Sequence, residues 1–260
     1  MSKELLMPAR LRNVVAACGV AALVVVSSSS AGAVSSAPVS GGPLGQGACA
    51  APALAARTGG TVLTLRAFGD CEIGRRQSTL ADLTSVVDGS SALTTSDRAE
   101  LAAAITTESS GLASFQTTID GQARLPALKV EIVQIDTRFR VYLLVAPKVY
   151  LVSAADGVLA LQQSFTQTAA DLAERIATAE ADGKDVTAAK TSLDSMNAEV
   201  AAAMNLAAPL PEKLLPLTAA QWNSGNAGPV VGAARAALVS ARSHLQAAVR
   251  LGRAVIVALQ

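Results

Sequence analysis

Residues 228–260 read GPVVGAARAALVSARSHLQAAVRLGRAVIVALQ, and the spacing of this stretch decides the fold. Val231, Leu238, Leu245, Gly252 and Leu259 recur every seven residues, with Ala234, Ala241, Ala248 and Val255 as a second row between them. Two rows at alternating three- and four-residue steps share one side of an α-helix. At 1.5 Å per residue the helix runs for about 46 Å. The small residues of the second row allow a partner helix to approach closely.

The same period continues upstream. Val186, Ala189, Leu193, Met196, Val200, Ala203 and Ala207 mark one helix. Leu151, Val158, Phe165, Leu172 and Ala179 mark a longer one, ending near Ala181. Leu125, Leu128, Ile132, Ile135 and Phe139 form a third seam, with Pro126 in the first turn, where its missing N–H costs nothing. Leu101, Ile105, Leu112, Phe115 and Ile119 form a fourth, interrupted by Glu108 and opened by a Thr94–Asp97 cap. Ile73, Leu80, Leu83 and Val87 form the earliest. Asp88-Gly89, Asp120-Gly121 and Asp182-Gly183 read as helix stops, with Gly89 expected in a left-handed cap. Asp156-Gly157 falls inside a helical pattern, as a close contact or a weak point. Pro147 predicts a break or kink after Arg138, because a proline inside a helix loses a hydrogen bond and clashes with the preceding turn. Pro209, Pro211 and Pro216 interrupt the chain again, and Thr218 with Gln221 forms a capping box ahead of Trp222. Short links between the helices make sequential neighbours antiparallel. The expected fold is therefore all-α, an elongated antiparallel helical bundle with coiled-coil-like heptads over residues 72–260.

The N-terminal third reads differently. Lys3, Arg10 and Arg12 precede an apolar run from Val14 to Val26, followed by Ala31-Gly32-Ala33. That is the charge, length and small-residue pattern of a secretory signal peptide, with cleavage after Ala33. The run is too short to cross a bilayer, which takes about 20 helical residues. No Arg-Arg pair occurs before Ala33, which favours a Sec-type signal. Val141–Val152 is also apolar and short, so no transmembrane helix is expected in the mature chain. Residues 34–71 are expected to be a flexible Ser-, Gly- and Pro-rich linker, with a short extended segment at residues 61–68. Cys49 and Cys71 are the two cysteines beyond the signal, and an even pair in an exported chain predicts a disulfide.

Composition excludes more than it selects. The chain has 51% hydrophobic and 16% charged residues, enough for a sizeable core, and a net charge of +1, which gives no global attraction for nucleic acid. Aromatic residues make up 3%, which suits tight helix packing better than a deep pocket. One histidine, His244, stands beside the seam residue Leu245 and reads as a flanking surface residue. No nucleotide loop or nucleophile elbow is present, and the Asp-Gly pairs lack the ligand spacing of a calcium loop. Glu180, Asp182 and Asp185 cluster near a turn and read as a solvated loop, with Asp185 as a cap. No catalytic, cofactor-binding or metal-ligating residue is assigned, and no enzyme activity or cofactor is expected.

Charge segregation is the most informative functional pattern. From Tyr150 to Glu212 there are nine acids and three bases; from Lys213 onward there are five bases and no acid. In the preferred reading the last helix packs on the acidic pair before it, and its charges flank the seam. In the other reading Arg235, Arg242, Arg250 and Arg253 form a contact strip for an anionic envelope polymer or lipid headgroups.

Arg138-Phe139-Arg140-Val141-Tyr142, Val145-Ala146-Pro147-Lys148, Ala154-Ala155-Asp156 and Leu217-Thr218-Ala219-Ala220-Gln221-Trp222-Asn223 resemble stretches of a group of exported helical proteins. These come mainly from high-GC Gram-positive (actinobacterial) bacteria, and the likeness covers roughly residues 72–260. The group carries no assigned activity, so the resemblance transfers no functional residue. It implies an α-helical envelope or extracellular protein. The expected function is binding or structure at the cell envelope or outside the cell, with an envelope protein or anionic polymer as partner and no nucleic acid. The alternative is a helix-bundle module for a small apolar ligand or envelope lipid, contacted by Tyr142, Leu143 and Tyr150.

Overall fold

In the computed structural model the described residues are 44–260; the signal peptide and the first part of the expected linker lie outside them. The described chain is all-α, with no strand among the described residues. It divides into two compact units. The N-terminal unit is Ala33–Ser153 with Glu212–Gly232, and the C-terminal unit joins Ala154–Pro211 to Ala233–Gln260.

The N-terminal unit starts earlier than the sequence suggested. A 3-10 turn at Gly47–Cys49 leads into α1 (Ala50–Gly59) and then α2 (Val62–Gly89). The extended segment expected at residues 61–68 is helix, and helical structure begins well before residue 72. Local capping and tertiary burial outweigh the β-branched composition there. Thr61 and Thr64 form a reciprocal capping box at the start of α2. Leu65 and Phe68 are then buried on the same face as Ile73, Leu80, Leu83 and Val87. A disulfide joins Cys49, which is fully buried, to Cys71 on α2.

α3 (Thr95–Gly121) is capped by Thr94, whose hydroxyl accepts from the Asp97 N–H. It buries the predicted seam of Leu101, Ile105, Leu112, Phe115 and Ile119. The stop after Asp88-Gly89 works differently from expectation. Gly89 has no positive φ, and the Arg98 guanidinium donates to the carbonyls of Val87, Asp88 and Ser90. A side chain thus satisfies the orphan carbonyls that a left-handed glycine would otherwise close.

α4 (Leu125–Arg138) carries Pro126 in its first turn and buries Leu128, Ile132 and Ile135. The break predicted before Pro147 is present. After Arg138 the chain takes one wide turn of π-helix at Val141–Val145, in which the Val145 N–H reaches back to the Arg140 carbonyl. Pro147 then lies in the first turn of α5 (Ala146–Ala160), where its ring is tolerated. With the break reduced to one turn, Leu125–Ala181 forms a nearly continuous run. One 18-residue window of it is apolar enough to cross a membrane by length and composition, and 61% of that window is buried inside the protein. Two short helices, α8 (Leu210–Leu214) and α9 (Ala219–Asn223), lie in the proline-rich stretch, and the Thr218–Gln221 capping box forms as predicted.

The C-terminal unit is built from α6 (Gln162–Ala181), α7 (Thr187–Ala207) and most of α10 (Ala227–Ala258). The long helix expected up to Ala181 is interrupted at Leu161, four residues after Gly157. A Cβ on Gly157 would touch nothing within 4 Å, so close packing does not explain that glycine. Gly183, with φ +78°, ends α6. Lys184 N–H donates to Ala179 O and Gly183 N–H to Glu180 O, the paired bonds of a Schellman closure that needs a left-handed residue. On α10, Ala234, Leu238, Ala241, Leu245, Ala248, Gly252 and Val255 are buried. A Cβ on Gly252 would sit 3.1 Å from Met196 Sδ and 3.9 Å from Leu172 Cδ1, so the three helices meet at this glycine.

Candidate functional site

Polar side chains cluster within each unit. In the N-terminal unit the helical repeat of α2 places Glu72 and Arg76 one turn apart on its buried face, and both are fully buried. Glu72 Oε2 accepts from Arg75 Nη2 at 2.7 Å and from Arg76 Nη1 at 2.5 Å, while Oε1 accepts the Gly45 N–H at 2.8 Å. The other guanidinium nitrogen of Arg76 reaches Asp136 Oδ1 on α4 at 3.3 Å. Asp136 Oδ2 pairs in turn with Arg140 at 2.7 Å, and Arg140 Nε donates to Asn223 Oδ1 at 2.7 Å. Asn223 closes the chain by donating to the Thr137 carbonyl. Two carboxylates and three guanidiniums thus form one connected network linking α2, α4 and α9.

Tyr142 packs into this network. Its ring centroid lies 4.9 Å from the Arg75 guanidinium carbon and 5.2 Å from that of Arg76, within cation–π range. Its hydroxyl is buried without a hydrogen-bond partner among the described residues. Of the three residues expected to contact an apolar ligand, Tyr142 is engaged by guanidiniums, Leu143 is exposed, and Tyr150 is half-buried. Burial, followed by repulsion from Asp82, pushes the Tyr150 hydroxyl pKa up.

The neighbouring charges in this unit are capped or desolvated. Lys148 is buried and donates from Nζ to the carbonyls of Leu215 and Leu217, both at 2.8 Å, closing the end of α8. Burial lowers its pKa, against the opposing pull of Glu108 and Glu100. Glu108, the polar exception in the α3 seam, has its pKa raised by burial, opposed by Lys148.

In the C-terminal unit the helix pattern delivers the charges of α10 to the flanks of its apolar seam. His244 Nδ1 lies 2.6 Å from Glu199 Oε2 on α7, so the histidine is a partly exposed, cross-helix partner. Arg235, Arg250 and Arg253 are exposed and Arg242 is half-buried. Among the described residues none of these four arginines ends in an ion pair. Glu180 pairs with Lys190 at 2.6 Å, and Asp185 accepts the Thr187 N–H at the start of α7, which lowers its pKa. A shallow groove of about 320 Å³ lies between α6 and α7, lined by Phe165, Asn197, Val200 and Met204 among others.

The buried network escaped sequence reasoning. Its one local signal is Glu72 and Arg76 at a four-residue step, which also describes an ordinary exposed ion pair. Asp136, Arg140 and Asn223 join it through tertiary packing alone. These features define an all-α protein whose polar clusters lock helices together. Comparison with protein families, with curated proteins and with solved structures finds no match.

Proposed function

We propose that this chain is an exported, non-enzymatic helical protein that acts by binding or by structure at the cell envelope or outside the cell. The observation that carries this reading is the Cys49–Cys71 bridge, set in the helical fold with Cys49 fully buried. Disulfides persist in oxidising compartments and are rare in the cytosol. The sequence before residue 34 supports the same compartment, with its basic start, short apolar run and Ala31-Gly32-Ala33. The resemblance of residues 72–260 to exported helical proteins points the same way. The polar side chains support a scaffold role, since Glu72 accepts from the Gly45 N–H, Arg76 reaches Asp136, Lys148 reaches the Leu217 carbonyl and Glu199 meets His244.

Mass spectrometry of culture supernatant and envelope fractions tests the reading. The expected result is a mature N-terminus near Val34 and, under non-reducing conditions, one linked peptide pair containing Cys49 and Cys71. Recovery of full-length cytosolic protein with both cysteines open to alkylation would reject it.

A further inference from the structure

We infer that the exposed shoulder of α10 is a docking surface for a linear anionic polymer. Arg235, Arg242, Arg250 and Arg253 all belong to the C-terminal unit. At 100° and 1.5 Å per residue they fall within an arc of about 80° and along about 27 Å of one helix. No Asp or Glu occurs from Lys213 to the end of the chain, so no acid on α10 offsets them. The acids of the same unit lie on other elements, and among the described residues Glu199 bonds with His244, Glu180 with Lys190, Asp171 with Gln167, and Asp185 with the backbone of α7. Among the described residues the four guanidiniums make no ion pair, which leaves them to an outside anion.

The side-chain chemistry specifies the kind of anion. All four bases are arginines, whose planar forks match phosphate and carboxylate oxygens in a bidentate way that lysine cannot reproduce. Their arrangement is a line, which fits charges repeating along an extended chain. A bilayer surface is a poorer match. A helix that lies on a membrane keeps a broad apolar face free to enter it. The apolar face of α10 is already used within the protein, with Leu238, Leu245 and Val255 buried. Val239 and Val257 are its exposed large apolar side chains, at 44% and 67%.

This inference rests on the binding reading proposed above and names the partner's chemistry. The two fail separately, because localisation is read by fractionation and the strip is read on purified protein. The experiment titrates the disulfide-bonded mature chain with poly(glycerol phosphate), and in parallel with vesicles of phosphatidylcholine and phosphatidylglycerol. The expected result is saturable polymer binding that weakens roughly tenfold or more on raising salt from about 50 to 200 mM. Arg235→Gln, Arg242→Gln, Arg250→Gln and Arg253→Gln combined should abolish it, and the four-fold Arg→Lys variant should bind more weakly than wild type. Arg175→Gln, an exposed base on α6, serves as the control and should leave binding unchanged. Circular dichroism verifies that each variant is folded. Three outcomes would overturn the proposal: no polymer binding at low salt, undiminished binding by the folded four-fold Gln variant, or binding to the vesicles without binding to the polymer.

Discussion

Arg76 shows how much one side chain can carry in this fold. It is fully buried, and its two terminal nitrogens serve Glu72 and Asp136 on different helices. Removing one member of a buried pair leaves the other charge without compensation, at a cost of about 3–5 kcal/mol. Arg76→Ala should lower unfolding free energy by that amount in denaturant melts. The double change Glu72→Leu with Arg76→Met should recover only part of the loss, because it removes the fully buried pair and keeps apolar volume but takes away the acceptor of Arg75 and of the Gly45 N–H. A near-zero effect of Arg76→Ala would mean that the network is solvated. Glu108 gives a second residue-level expectation, this time in pH. Burial raises its folded pKa above the ordinary 4.5, so the folded state holds its proton more tightly than the unfolded chain does. Its contribution favours folding below the unfolded pKa and is lost as pH rises through the raised folded pKa. Glu108→Gln should therefore flatten the stability profile across that interval and raise stability at neutral pH relative to wild type. Lys148 works in the opposite sense: its lowered folded pKa makes its contribution improve as pH rises from that value toward 10.5.

At the scale of the element, α10 is held by its seam. Leu245 is 4% exposed and Leu238 likewise. Leu245→Ala should cost about 2–5 kcal/mol through lost transfer energy and a residual cavity. Arg235→Ala should cost about 0–1 kcal/mol, since Arg235 is exposed and makes no ion pair among the described residues. Chemical denaturation of the two variants side by side checks the contrast, and equal effects would mean that the heptads do not set the packing. Gly252 refines the test. Gly252→Ala places a methyl 3.1 Å from Met196 Sδ, a flexible side chain that must yield for the helices to keep their spacing. The variant should be destabilised by about 1–3 kcal/mol if Met196 cannot move. The turn at Val141–Val145 belongs to the same scale. It takes up one extra residue and delivers Pro147 to a first-turn position, so the helical run continues past the proline.

For the molecule as a whole, the Cys49–Cys71 bridge fastens the start of the described chain to α2. It closes a loop of 22 residues, and in the chain-entropy view this is worth about 3 kcal/mol of stability. A Cys49→Ala, Cys71→Ala chain should lose about that much in denaturant melts while retaining most of its helical circular dichroism, because α3 to α10 do not depend on the bridge for their cores. Loss of helicity throughout would show that the bridge nucleates more than the N-terminal segment.

The helical class, the seams of α3, α4 and α10, the caps at Thr94 and Thr218, the cysteine pair and the break before Pro147 were all legible in the sequence. Each follows from side-chain period or from a polar group acting on its own local backbone, and neither needs a distant partner. Residues 50–59 read as linker from their Ser-, Gly-, Pro- and Ala-rich setting and are helix, and residues 61–68 read as extended, because β-branched composition is a weak signal against capping by Thr61 and burial of Leu65 and Phe68. Gly89 was misread for a related reason: Arg98, from the next helix, supplies the cap. Only tertiary structure could decide the network from Glu72 to Asn223 and the partners of Lys148 and His244. Those are properties of which charges meet across helices, and helical periodicity places a charge on a face without saying what stands opposite.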